Sequence, residues 1–292
     1  MQNHLLKGFL LVAIGTLVSA CDIIKGPRRE VKPNLVCSDT ITPVPLTGLK
    51  NVLIEEYTGY TCGNCPPAAE TAKNLTSQFP GRVFVMTVHA GFFAEPIPSH
   101  PEDYRTPVGT ELDQFFGMSN AGNPNGMVDR KAFNSQQILA PSSWSGAVNA
   151  RLQDALVADM ALATRYEAAT RTVVITTHVK YNQMGEPEDR LVLHILEDSI
   201  VGFQKDYRYR PNENITNYVH RYVLRGSVTP AFGLAIAEGG APVQGQSYKC
   251  TYRYVLPEGI NPQQAYIIGY INRSRALRTD NLVLQSDLAK VN

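Results

Sequence analysis

This chain lacks charge of either sign in excess: Lys and Arg total 27 against 26 Asp and Glu, a net charge of +1. A surface without a dominant field does not recruit polyanions by counterion release, so nucleic acid is excluded as an expected partner. There is one tryptophan in 292 residues, and there are six histidines and five cysteines. A single Cys-X-X-Cys is present, with no second one and no close Cys/His pair beside it, so the four-ligand pattern of structural zinc is missing and no metal is expected. Long apolar runs are scarce too. The longest, Gly8 to Val18, is about half of the roughly 20 residues a membrane-spanning helix needs. Repeats, low-complexity tracts and charge blocks are absent, and 43% hydrophobic with 18% charged residues is not a disordered composition. What remains is a turn-rich globular chain, longer than the roughly 100 to 200 residues of one domain, for which two folded domains and no cofactor are expected.

The apolar run follows Lys7 and ends in Val18-Ser19-Ala20-Cys21. One cation, a short apolar stretch and small residues before a cleavage point form an export signal, predicted over 1–20. The last four residues resemble the bacterial lipoprotein signal, in which the cysteine is acylated and becomes the new N-terminus. Cys21 is then the lipid anchor, and membrane attachment comes from acyl chains rather than charge. Ordinary secretory cleavage with a free Cys21 thiol is the alternative. Residues 21–47, with Pro27, Pro33 and little apolar content in their first part, are predicted to be a flexible tether. Setting Cys21 aside leaves Cys37, Cys62, Cys65 and Cys250, an even number in an oxidising compartment.

From residue 48 the pattern is α/β. Asn51 to Tyr57 is a short apolar run interrupted by two acids, and it leads through a turn to Cys62-Gly63-Asn64-Cys65-Pro66-Pro67. Ala68 to Phe79 is rich in helix formers and stops at Pro80-Gly81. Proline is tolerated only in a helix's first turn, so Pro66 and Pro67 mark the start and set the cysteines at the helix N-terminus. Arg82 to His89 is a second strand, parallel to the first by the crossover rule. Residues 90–109 read as an insertion, Thr110 to Phe116 as a short helix, Met127 to Phe133 as a strand, and 143–156 as a helix burying Trp144, Val148 and Leu152. Beyond 157 the apolar period is two, as in Thr172 to Tyr181, Leu191 to Glu197, Tyr218 to Leu224, Ser247 to Leu256, Ala265 to Asn272 and Leu282 to Leu284. An all-β sandwich, Ig-like, is predicted for 157–292.

A Cys-X-X-Cys is half of a zinc site or a redox pair, and the strand–turn–motif–helix–strand order resembles the thioredoxin fold over residues 48–156. That resemblance makes Cys62 the attacking thiolate and Cys65 the resolving thiol, joined as a disulfide when oxidised. Partial positive charge and free N–H donors at a helix start favour a thiolate at Cys62. The family carries a buried acid six residues before the first cysteine, here Glu56, to take the second cysteine's proton. Alternation puts Glu55 and Glu56 on opposite faces, and either could be the inward one. The family's cis-proline corresponds to Pro124, beside the strand that follows it. Thr61 stands where a Trp is usual, and Gly63-Asn64 leaves the redox direction open. His89, with His100, admits a metal-chaperone variant. Cys37 and Cys250 form a second candidate disulfide that spacing in sequence does not fix.

Glu55 to Pro66 around the cysteines, Val88-His89, Glu197 to Gln204 and Tyr218 to Arg225 together resemble the outer membrane protein 28 lipoproteins of Bacteroidetes. The resemblance implies an outer-membrane lipoprotein, displayed on the periplasmic face or the cell surface, with a thioredoxin-like domain joined to a β-rich one. Its activity is not settled by membership. Two readings stay open. One is thiol–disulfide exchange with the thiols or disulfides of partner proteins. The other is a binding or adhesive surface lipoprotein whose 62–65 disulfide is a staple. An exposed Cys62 sulfur beside a cis Pro124 would favour the first and a covered disulfide the second.

Overall fold

The computed structural model describes residues 34–291; the predicted signal, Cys21 and the first part of the tether, residues 21–33, lie outside them. Three α-helices are present among the described residues, α1 (Pro66–Gln78), α2 (Pro107–Phe116) and α3 (Pro141–Leu152), each with proline in its first turn. The rest is largely strand, in mixed sheets. β2 (Val52–Thr58) and β3 (Val83–His89) flank α1 and run parallel, in register from Val52↔Val83 to Thr58↔His89, and β4 (Asn125–Val128) pairs antiparallel on the other side of β2. β2 is therefore central, not an edge strand. The tether is not free throughout its length: β1 (Asn34–Cys37) pairs with β12 (Ser247–Val255), bringing Cys37 opposite Cys250, and the two cysteines form a disulfide.

The expected boundary at 156/157 falls within a continuous sheet. β10 (Val223–Ser227) adds in parallel beside β3, and β7 (Asp189–Glu197), β13 (Ala265–Arg273) and β14 (Leu282–Lys290) continue from it to give the order β14-β13-β7-β10-β3-β2-β4, with β11 (Leu234–Ala235) beside β7. Alternation decides which face each side chain fills. Leu191, Leu193 and Ile195 of β7 join one core with Met160 of β5 (Ala158–Glu167) and Ile175 of β6 (Thr172–Tyr181). β5, β6 and β12 belong to the four-stranded sheet β1-β12-β6-β5. Val192 and Leu196, on the other face of β7, join Leu53, Tyr57, Met86, Leu112 and Phe116. A third cluster sets Val52, Ile54 and Val85 against Ala68, Ala72 and Leu75 of α1 and Trp144 of α3.

Two predicted strands are interrupted, for the same reason. Met127 to Phe133 stops at Val128 because Asp129 and Arg130 take left-handed backbone (φ 48° and 54°). Their side chains turn inward, Asp129 to Lys50 and Arg151 (2.7 and 2.8 Å) and Arg130 to Glu55 (2.7 Å). Tyr218 to Leu224 is not one strand, since Tyr222 (φ 46°) breaks it into β9 (Asn214–His220) and β10. β9 leaves the large sheet and pairs with β8 (Ile200–Lys205) as a separate two-stranded ribbon.

Candidate active site: a covered disulfide above a buried acid

Cys62 and Cys65 are joined as a disulfide at the start of α1, with Cys65 as the residue capping the helix. The helix start differs from expectation in one respect. Pro66 and Pro67 have no N–H, and the N–H groups of Ala68 and Ala69 both donate to the carbonyl of Cys65 (2.9 and 3.2 Å). Cys62 thus receives the field of the helix dipole and no free donors from the first turn. The Asn123–Pro124 bond is cis, at the entry to β4.

Glu56 lies on the α1 face of β2, the face that also carries Val52 and Ile54, while Glu55 on the opposite face is held by Arg130. Neither is solvent-facing: Glu55 is fully buried and Glu56 is 2% exposed. They differ in partners. Glu55 accepts two hydrogen bonds from a guanidinium at 2.7 Å. Glu56 accepts one, from the Thr87 hydroxyl at 3.3 Å, and its Oε1 has no protein partner among the described residues. Burial without a counter-charge pushes the Glu56 carboxyl up from 4.5 to about 7, only weakly opposed by Thr87.

A cavity of about 280 Å³ opens beneath the disulfide, lined among others by Glu56, Cys65, Thr87, His89, Gln204 and His220. Two of these lining residues are histidines. His89 is 2% exposed, packs edge-on against the His220 and Tyr104 rings, and offers two ring nitrogens with no protein partner among the described residues. Burial holds it well below the ordinary imidazole range, with His220 and Arg225 adding to the effect. His220 bonds through Nε2 to the Phe203 carbonyl (3.1 Å), and burial lowers it to about 4. Its one signal in the sequence is its place in the Tyr218 to Arg225 segment. Arg225 of that motif pairs with Glu197 and Arg221 with Asp198. His100 stacks on Phe203, with ring centroids 3.9 Å apart. Among the described residues no cluster of three or more His, Cys, Asp or Glu is arranged to hold a metal ion.

The disulfide is covered. Cys62 and Cys65 are each 2% exposed, and Asn64 is the exposed residue between them. On one side the 90–109 insertion closes in, its Phe93 carbonyl accepting from the backbone N–H and hydroxyl of Thr61 (3.1 and 2.9 Å). On the other side lies the end of β8. The Gln204 amide donates to the Cys62 carbonyl (3.1 Å), the Lys205 N–H to Tyr60 (2.7 Å) and the Tyr207 N–H to Gly63 (2.9 Å).

A family model described as Outer membrane protein Omp28 matches residues 111–291, more than half of the sequence. The chain belongs to the Omp28 family. The match includes Pro124, the β8–β9 ribbon and Cys250 and begins after the cysteine motif. The family name places its members with the outer membrane. Two solved structures show the same fold: HBP35 of Porphyromonas gingivalis, with a TM-score of 0.65 and 18% identity over 84% of this chain and 76% of that one, and a structural-genomics target from Agrobacterium tumefaciens, with a TM-score of 0.51 and 12% identity over 84% and 96%. At these identities the likeness is one of fold. No curated protein matches the sequence.

Proposed function

We propose that this Omp28-family chain is a lipid-anchored outer-membrane protein, held through Cys21, that exchanges disulfides with partner proteins through Cys62 and Cys65 on a thioredoxin-like β2–α1–β3–β4 platform. The observation that carries this reading is Glu56. A carboxyl buried without a cation is costly, and a structural staple has no use for one. A resolving thiol does. In the reduced protein the Cys62 thiolate attacks one sulfur of a partner disulfide, forming a mixed disulfide and releasing the partner's other sulfur as a thiolate. Cys65 then loses its proton to the Glu56 carboxylate and attacks the Cys62 sulfur. The partner leaves with both sulfurs reduced, and its two oxidising equivalents remain as the Cys62–Cys65 disulfide, the state of this structure. The reverse sequence oxidises a partner dithiol.

The burial of both cysteines favours a second reading, in which the disulfide is a staple and recognition lies elsewhere. The pH dependence of Cys62 alkylation decides between them. It is read in the folded protein with Cys21→Ser, Cys65→Ser, Cys37→Ser and Cys250→Ser, so that one thiol reports. Exchange predicts an apparent pKa below the ordinary value of about 8.5, whatever the absolute rate. A pKa at or above that value assigns the disulfide to the fold.

A further inference from the structure

The cover over the dithiol is built like a bound peptide. Lys205 and Tyr207 are two residues apart, and their N–H groups donate to carbonyls of the cysteine loop, Tyr60 and Gly63, at 2.7 and 2.9 Å. Donors at alternate residues along one edge are how an extended strand pairs with an acceptor surface. The side chain between them, Asp206, points away into its own turn, where it accepts from the backbone N–H and guanidinium of Arg208. The contact also has a specificity element. A Cβ on Gly63 would lie 2.5 Å from the Tyr207 ring, so the glycine between the two cysteines leaves a seat that an aromatic ring fills. The Arg210 guanidinium lies over the same ring, 3.6 Å from its centroid. The attachment at the tip is light. The ribbon belongs to a two-stranded sheet of its own, and what ties its tip to α1 is the solvent-exposed pair Arg208–Glu70 at 2.8 Å.

We propose that residues 204–207 are an internal occupant of a polypeptide-binding edge on the cysteine loop. The partner that displaces them is an extended segment carrying an aromatic residue at the position of Tyr207. This deepens the exchange reading and rests on it for its purpose, though peptide binding at this edge can be tested without turnover. The occupant is chosen by the structure: carbonyls of Tyr60 and Gly63 that need strand N–H donors, and a seat shaped for a ring. With the segment seated the disulfide is closed to bulk thiols. With it displaced, the partner's backbone lies where its own disulfide can meet Cys62.

The test uses two probes on the whole chain. Reduction of Cys62–Cys65 by a water-soluble phosphine is followed by mass in the native protein and in Tyr207→Ala, with Trp144 fluorescence confirming the fold. The open variant is expected to react at least tenfold faster. Fluorescent peptides copying residues 202–210, with tyrosine or alanine at the 207 position, are then titrated onto Tyr207→Ala combined with Arg208→Ala. The tyrosine peptide is expected to bind at least tenfold more tightly than the alanine peptide, and more tightly than it binds the native chain. Should Tyr207→Ala not fold, Glu70→Ala with Arg208→Ala releases the tip from outside and is expected to speed reduction in the same direction. Unchanged reduction in the folded open variants, or equal binding of the two peptides, overturns the proposal. If the peptides discriminate but Cys62 keeps an ordinary pKa, the binding edge stands and the exchange chemistry falls.

Discussion

Among single residues, Glu56 carries the sharpest consequence. Its carboxyl is raised from 4.5 to about 7 by burial, so the folded state holds a proton that the unfolded chain has already released. The sign follows: folding stability falls as pH rises from the unfolded value near 4.5 and stops falling above about 7. The full effect is about 3 kcal/mol. Glu56→Gln keeps the shape and removes the proton. It is expected to match the native protein near pH 4 and to be more stable by up to that amount at pH 8, as read from urea midpoints with both disulfides oxidised. Buried His89, His194 and His220 push the other way, since each must lose its proton to fold, but they are common to both proteins and cancel in the difference. Equal midpoints at pH 8 would show that Glu56 is not buried as a neutral acid. Its position was legible in sequence, six residues before Cys62 on a strand. Its environment was not, because the cavity is closed by Gln204 and His220 from far along the chain, and no spacing around the motif announces them.

At the scale of elements, the sequence shows best what is punctuated. Pro66-Pro67 fixed the start of α1, and the crossover rule then made β2 and β3 parallel. Alternation in Thr172 to Tyr181 gave β6 its observed limits. What stayed hidden were bends made by residues that seldom bend: Asp129, Arg130 and Tyr222 take positive φ without being glycine, and buried ion pairs rather than local preference hold the first two there. The strap 204–207 was equally hidden, because Lys205-Asp-Tyr-Arg-Tyr-Arg210 has the composition of an exposed loop. The contact between β4 and α3 offers a test of how tightly the platform is packed. A Cβ on Gly126 would meet the Trp144 ring at 2.8 Å and the Glu55 carbonyl at 2.7 Å, and backbone cannot yield as a side-chain tip can. Gly126→Ala is expected to cost about 1–3 kcal/mol. Trp144 is the chain's one tryptophan, so its fluorescence reads both the shift in urea midpoint and any displacement of α3. A variant as stable as the native chain, with unchanged emission, would show slack at this contact.

For the molecule as a whole, the change of period near residue 157 was visible in sequence, but it marks a change of strand pattern rather than a break in the sheet. Whether two regions share a sheet depends on one strand, β10, whose Val223 and Leu224 are buried on both sides of the ladder between β3 and β7. Because of it the core around Leu53, Met86 and Phe116 is completed by Val192, Leu196, Ile268 and Val283 from the other half, so neither half can bury its apolar face alone. Unfolding should therefore be a single transition. The Cys37–Cys250 disulfide bears on its midpoint and not on its cooperativity: it closes a separation of 213 residues but ties down only the four-residue edge strand β1. Removing it with Cys37→Ser and Cys250→Ser is expected to cost about 2–5 kcal/mol through the freed unfolded chain while the core stays intact. Trp144 fluorescence reports the α1–α3 side, and far-UV circular dichroism reports the strands of both sheets. In native and disulfide-free protein alike the two signals should trace one curve, the second displaced to lower urea. A fluorescence transition that precedes the dichroism would instead make residues 48–156 a separately melting unit, and the shared core would not be the source of cooperativity.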